Sequence, residues 1–178
     1  GGADFSRLKY VLVTHSHMDH FYAHDFVLRG YKYAHGLKEA LEIYGNDEVT
    51  EVFSECTRRE LREDVKDNIS LHALSAFEEV SFGGYRVNAL RAKHSSHDPL
   101  LYLIEKDGKR VLHLCDTGLL PEDDYEFLSR LGGRVDLITL DCTLLWERAD
   151  ENSRHMGVAE NKTVLERLQR AGVADENT

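Results

Sequence analysis

The chain has no apolar stretch long enough to span a bilayer, and its first residues, Gly1-Gly2-Ala3-Asp4-Phe5-Ser6-Arg7, contain no apolar leader core. No membrane partner and no export signal are therefore expected. Its cysteines are few: Cys56, Cys115 and Cys142 are odd in number, far apart, and form no Cys-x-x-Cys pair. That argues against a disulfide framework, and a reducing cytoplasm is the expected compartment. Basic residues are scarce as well, with 22 Lys and Arg against 32 Asp and Glu, a formal net charge of −10. Such a surface repels a long polyanion, so extended nucleic acid is a disfavoured partner and a small-molecule substrate is expected, with an oligomer still allowed. Internal repeats, low-complexity tracts and dividing linkers are also missing. One domain over residues 1–178, large enough to bury a core, follows.

The patterning present is that of an α/β chain. Residues 8–14 read as a buried strand, 21–28 as a short helix, and 38–44 as a segment ending in the strand-like Leu41-Glu42-Ile43-Tyr44, closed by a turn at Gly45-Asn46-Asp47. The Glu- and Arg-rich stretch 48–67, with Val49, Val52, Phe53, Leu61 and Val65 as its apolar positions, predicts one amphipathic helix. Short β segments follow at 69–74, 79–82, 85–90, 100–104 and 110–114, separated by turn chemistry such as Gly83-Gly84 and Asp107-Gly108. A helix at 122–131 starts after Pro121 and runs into Gly132-Gly133; a strand at 135–140 and a helix at 158–170, closed by Gly172, complete the chain.

One stretch has no packing explanation. After the apolar run Tyr10-Val11-Leu12-Val13 comes Thr14-His15-Ser16-His17-Met18-Asp19-His20, with three imidazoles and a carboxylate within six residues. A metal explains it. Imidazole nitrogen and carboxylate oxygen without thiolate suit Zn2+, with Mn2+ or Fe2+ as alternatives. On a strand end His15 and His17 project to one side, and Asp19 and His20 on the following turn can face a second point, which leaves room for a second ion.

His15-x-His17-x-Asp19-His20 after a strand resembles the signature of the metallo-β-lactamase superfamily. That resemblance implies an αββα sandwich holding one or two metals, and mostly hydrolytic activity. It also implies the remaining ligands. His94, just after the strand at 85–90, completes the first metal site with His15 and His17, in preference to His97. Asp116, in Leu114-Cys115-Asp116-Thr117-Gly118, is the bridging carboxylate. By strand alternation His113 and Cys115 point away from Asp116 and read as packing residues.

Leu140-Asp141-Cys142-Thr143 and Ser153-Arg154-His155-Met156-Gly157 resemble the phosphodiesterase branch of the superfamily, which includes ribonuclease Z and the cyclic phosphodiesterase accessory to carbon–phosphorus bond cleavage. There the histidine of the second segment is catalytic and is not a ligand. Carried over, it is His155, with Asp141 as its orienting neighbour. The family also has a leading hairpin region and a last histidine ligand, and no histidine follows His155. The fold is therefore expected to be incomplete at both ends, with the second metal short of one ligand unless water, a partner chain or His97 supplies it.

The chemistry this implies is attack by a metal-bridging hydroxide on a small or cyclic phosphodiester, with Asp19 orienting the nucleophile and His155 serving the leaving oxygen. Arg91, Lys93 and Arg154 lie near these segments as surface charges that could meet a phosphate. Two other readings fit the same residues: a thioester, lactone or lactam hydrolase of the same fold, and a non-catalytic metal-binding module. Ribonuclease Z activity fits less well, because the chain lacks a basic, aromatic-laced arm.

Overall fold

The computed structural model describes residues 7–31 and 39–178. Residues 1–6, and Lys38, which opens the segment read as 38–44, lie outside them. The chain divides into two compact units, residues 1–74 and 75–178, each with its own sheet.

The first unit is a parallel sheet in the order β1 (Tyr10–Leu12), β2 (Leu41–Gly45), β3 (Ile69–Ala73). Alternation along β2 sends Leu41 and Ile43 to one face, where they pack with Val13, Phe21, Val49 and Phe53. The helix α1 (Asp47–Thr57) covers this face. Asn46, expected in a turn, is in fact the cap of α1, its side-chain oxygen accepting the Val49 N–H at 2.9 Å. The helix approaches β2 so closely that a Cβ on Gly45 would lie 2.9 Å from the Val49 side chain.

Three expectations here need correction. The stretch 48–67 is two helices, α1 and the short α2 (Glu63–Lys66). Continuing α1 would bring Glu60, seven residues after Phe53, onto the buried face; with the helix ended at Thr57, Glu60 is exposed and Leu61 packs against the core. The helix expected at 21–28 is a 3-10 helix at Ala23–Gly30, and the first strand is shorter than 8–14, although the Val13 N–H still donates to Tyr44 O.

The second unit carries a five-stranded sheet: β4 (Glu79–Phe82), β5 (Tyr85–Arg91), β6 (Leu100–Lys106), β7 (Lys109–Leu114) and β8 (Leu137–Leu140), in chain order. The first four form an antiparallel meander; β8 joins β7 in parallel after a crossover through α3 (Glu122–Leu131). Strand β8 begins later than the expected 135, because the Val135 N–H is committed to Val173 O. The core lies on one sheet face, where Leu90, Leu101, Leu103, Leu112 and Leu114 meet Leu128 of α3 and Val164 and Leu168 of α4 (Val158–Arg170). Gly132 and Gly172 sit at φ +65° and +73°, where a side chain would be strained, and they end the two helices.

The register has a consequence for function. Strands β5 and β7 are each antiparallel to β6, and β8 is parallel to β7, so β5, β7 and β8 all point the same way. The segments that follow them, carrying His94, Asp116 and Asp141, leave one end of the sheet. Carboxyl ends of parallel strands are where α/β sheets hold ligands. Among the described residues no helix is long and apolar enough to cross a membrane.

Candidate functional site

In the first unit the loop after β1 folds back through His17, whose carbonyl accepts the N–H groups of His20 and Phe21, and buried Phe21 anchors it in the core. This turn gathers the imidazoles. The His15 ring lies 4.6 Å from His17 and 4.4 Å from His20, centroid to centroid. His15 is buried, and the Thr14 hydroxyl contacts its Nδ1 at 3.0 Å. Imidazole nitrogens gathered this closely are the kind of donor set that a divalent cation takes. Asp19 is 77% exposed, with its carboxylate 3.6 Å from His20 Nε2. The loop is braced from α1, where Glu48 accepts the Ser16 hydroxyl proton.

In the second unit four expected residues come together. Asp116, Asp141 and His155 offer ligand atoms that all lie within 4.8 Å of one another. His94 Nε2 is 3.9 Å from Asp116 Oδ2, and its ring makes an edge contact with His155 at 4.9 Å. His94 Nδ1 lies 3.2 Å from the Arg154 carbonyl oxygen. A carbonyl can only accept, so Nδ1 is the donor in this contact, and Nε2 is turned to the Asp116 side. The His94 side chain is only 4% exposed, whereas His97 is 67% exposed and pairs with its neighbour Asp98. Nitrogen and oxygen donors converging in this way fit a divalent ion of the Zn2+, Mn2+ or Fe2+ kind.

Asp141 organises this cluster. Its Oδ2 is 2.7 Å from His155 Nδ1 and accepts the Thr117 N–H, while Oδ1 accepts the N–H groups of Thr143 and Met156. Burial pushes this carboxyl up, but the donors from Thr143, His155 and Met156 outweigh it and hold it below the ordinary carboxylate range. The carboxylate is thus ionised and fixes the His155 ring from behind.

The loops are locked to one another. Lys93 N–H donates to Thr117 Oγ1 and Gly118 N–H donates to Lys93 O, both at 2.9 Å. A Cβ on Gly118 would lie 2.3 Å from the Ser153 carbonyl oxygen, so only glycine allows the 153–155 segment this close. The Lys93 ammonium, expected as a surface charge that could meet a phosphate, is taken by the Glu151 carbonyl. Arg91 likewise pairs with Asp123 at 3.4 Å and lies over the Phe77 ring. Sequence reading missed this locking of Lys93, Thr117 and Gly118, for which the Thr-Gly pair was the available signal. His113 and Cys115 sit together against Thr139, with His113 Nδ1 2.7 Å from its hydroxyl. All three cysteines are free thiols.

The profile of the β-lactamase superfamily domain matches residues 2–175. The chain belongs to the metallo-β-lactamase superfamily. A UPF0173 protein of Pyrococcus furiosus is 31% identical to it over 133 residues, which are 74% of this chain and 52% of that protein. Among solved structures, a diphosphatase from the PhnP family matches with a TM-score of 0.65 and 18% identity, over 90% of this chain and 56% of that one. The metallo-β-lactamase fold protein YhfI from Bacillus subtilis matches with a TM-score of 0.69 and 17% identity, over 97% of this chain and 65% of that one. The two sheets and their helices are those of this superfamily's fold. The chain spans about half the length of the curated relative it matches.

Proposed function

We propose that the chain is a metal-dependent hydrolase acting as a single domain on a small or cyclic phosphodiester. The observation that carries this reading is the pair formed by His155 and buried Asp141, beside His94 and Asp116. An imidazole backed by a carboxylate is a proton donor in need of a leaving group, and an alkoxide or aryloxide leaving phosphorus is one.

By the superfamily's ligand pattern, His15, His17 and His94 would hold one divalent ion and Asp19 and His20 a second, and Asp116 would be a ligand as well. Zn2+ is the first candidate for each. When bound, such ions lower the pKa of water towards ~7 and draw charge from phosphoryl oxygens. The chain's own residues do the rest. Asp19, exposed on its turn, orients the attacking water. His155, with Nδ1 held by Asp141, presents Nε2 to the departing oxygen and gives it a proton, a role worth ~10² to 10⁴ in rate. Exposed Arg154 remains available to a phosphate oxygen, whereas Lys93 and Arg91 are committed elsewhere. The similarity to a diphosphatase supports phosphorus over carbon as the atom attacked. The compartment proposed is a reducing cytoplasm, and the partner a small molecule.

The test is a substrate comparison on the metal-loaded chain. Cleavage of a bis-aryl phosphodiester in preference to aryl esters, thioesters and lactones is expected. Turnover of the acyl compounds with none of the phosphodiester would overturn the assignment.

A further inference from the structure

Trp146 is the chain's single tryptophan, and it is 85% exposed; Leu145 beside it is 62% exposed. One large apolar side chain in water needs no explanation, but these two adjoin on a backbone that is tightly held. Leu144 N–H donates to Met156 O at 3.0 Å, Val158 N–H to Leu145 O at 2.8 Å, and Glu147 N–H to Leu144 O at 2.9 Å. A Cβ on Gly157 would lie 2.6 Å from Glu147 O and 2.8 Å from Leu145 O, so the two segments meet backbone to backbone. Leu145 itself sits at φ +51°, a left-handed conformation that bulky side chains rarely hold. The fold thus keeps a strained leucine and a tryptophan in solvent on a fixed frame, where burying them would have added to the core.

Their position relative to His155 follows from the pairing. Leu145 and Gly157 form a parallel bridge, which sets Thr143 beside His155. Both residues bond the same Asp141 carboxylate, Thr143 through its N–H at 2.9 Å and His155 through Nδ1 at 2.7 Å. The three residues from Thr143 to Trp146 span at most about 11 Å of chain. A substrate with an aromatic group attached to its phosphodiester covers such a distance.

We propose that Trp146, backed by Leu145, is a stacking platform for an aromatic substituent of the substrate, a nucleobase or aryl ring joined to the phosphodiester on which His155 acts. The inference rests on the phosphodiesterase reading and narrows it to a substrate class. A flat indole face gains affinity from any nucleobase without hydrogen-bond readout. A mononucleotide-sized ester also suits a chain of net charge −10, because it carries little of the charge that would repel a polyanion.

Intrinsic fluorescence reports the platform directly, because Trp146 is the single indole and the Trp146→Phe chain is the blank. Metal-loaded protein is titrated with a nucleoside 5′-monophosphate and, separately, with ribose 5-phosphate. Saturable quenching by the nucleotide alone is expected. An equal response to both, no response, or a change on raising protein concentration without ligand would overturn the proposal, the last by marking a contact between copies. In a second arm, the kcat/KM preference for a cyclic nucleoside phosphate over the cyclic ribose phosphate lacking a base should fall about ten-fold in Trp146→Ala and persist in Trp146→Phe. An unchanged preference in Trp146→Ala would also overturn it. Quenching without any phosphodiester cleavage by the unmodified chain would sink the phosphodiesterase reading and leave the platform standing.

Discussion

The Nδ1 atom of His155 stands 2.7 Å from Oδ2 of Asp141, a buried carboxylate whose other oxygen takes the backbone N–H groups of Thr143 and Met156. One side chain therefore fixes both the imidazole and the backbone that carries it. Asp141→Asn keeps the shape but removes the charge and weakens the acceptor. A fall in turnover of about 10–100-fold is expected, as for other residues that orient a reactive neighbour. Asp141→Ala should in addition lower thermal stability, because buried N–H groups lose their acceptor at ~1–3 kcal/mol. Steady-state kinetics and a melting curve for each variant check this.

Gly118 tests the locking of the loops. A methyl group there meets the Ser153 carbonyl oxygen at 2.3 Å, and the neighbouring Lys93 and Ser153 atoms leave it no room. Gly118→Ala should push the 153–155 segment away, costing about 1–3 kcal/mol of stability as overpacking does, and should lower turnover with it. A variant as stable and as active as the parent would show that the loops need not sit this close.

Much of this arrangement was legible in the sequence, and the parts that were not have physical reasons. The strands read at 79–82, 85–90, 100–104 and 110–114 are found within two residues of those bounds, and the helices at 122–131 and 158–170 stand where apolar periodicity and glycine stops put them. Residues 48–67 misled because their charges suit a solvated helix throughout, and only Glu60, which a continued helix would turn inward and which is exposed here, marks the break. Asn46 looked like a turn residue because the same side chain serves turns and helix caps. The histidine cluster after β1 could be read from spacing, since no core needs it. The capture of Lys93 by the Glu151 carbonyl could not, because it joins residues 58 apart in the chain through a backbone atom that any residue would offer.

Stability should also carry a signature of Asp124, which lies buried on α3 with Oδ1 accepting the Arg91 N–H and Oδ2 without a hydrogen-bond partner among the described residues. Burial raises this carboxyl to about 6. In the unfolded chain it ionises near ~3.9, so between these values the folded state binds more protons and stability falls as pH rises from about 4 to about 6. The loss is at most a few kcal/mol. Asp124→Asn cannot ionise and should therefore gain in melting temperature relative to the parent as pH rises from 4 to 7. A constant difference across that range would contradict the assignment.

The brace between Ser16 and Glu48 should be felt by the metal rather than by the fold. Glu48 lies in the first turn of α1 and accepts the hydroxyl proton of the residue between His15 and His17. Glu48→Ala is expected to weaken divalent metal binding by about 10–100-fold, read by competition with a chelator, with the melting temperature of the metal-free chain little changed. Unaltered affinity would mean that the histidine loop holds its own geometry.

The most direct test of the account is to measure metal content and phosphodiester turnover together in His155→Ala. With His155 acting as proton donor, turnover should fall by ~10² to 10⁴ while the bound metal per chain stays at the parent's value. Loss of metal in the variant would make His155 a ligand, and full turnover would remove it from the chemistry; either result contradicts the mechanism.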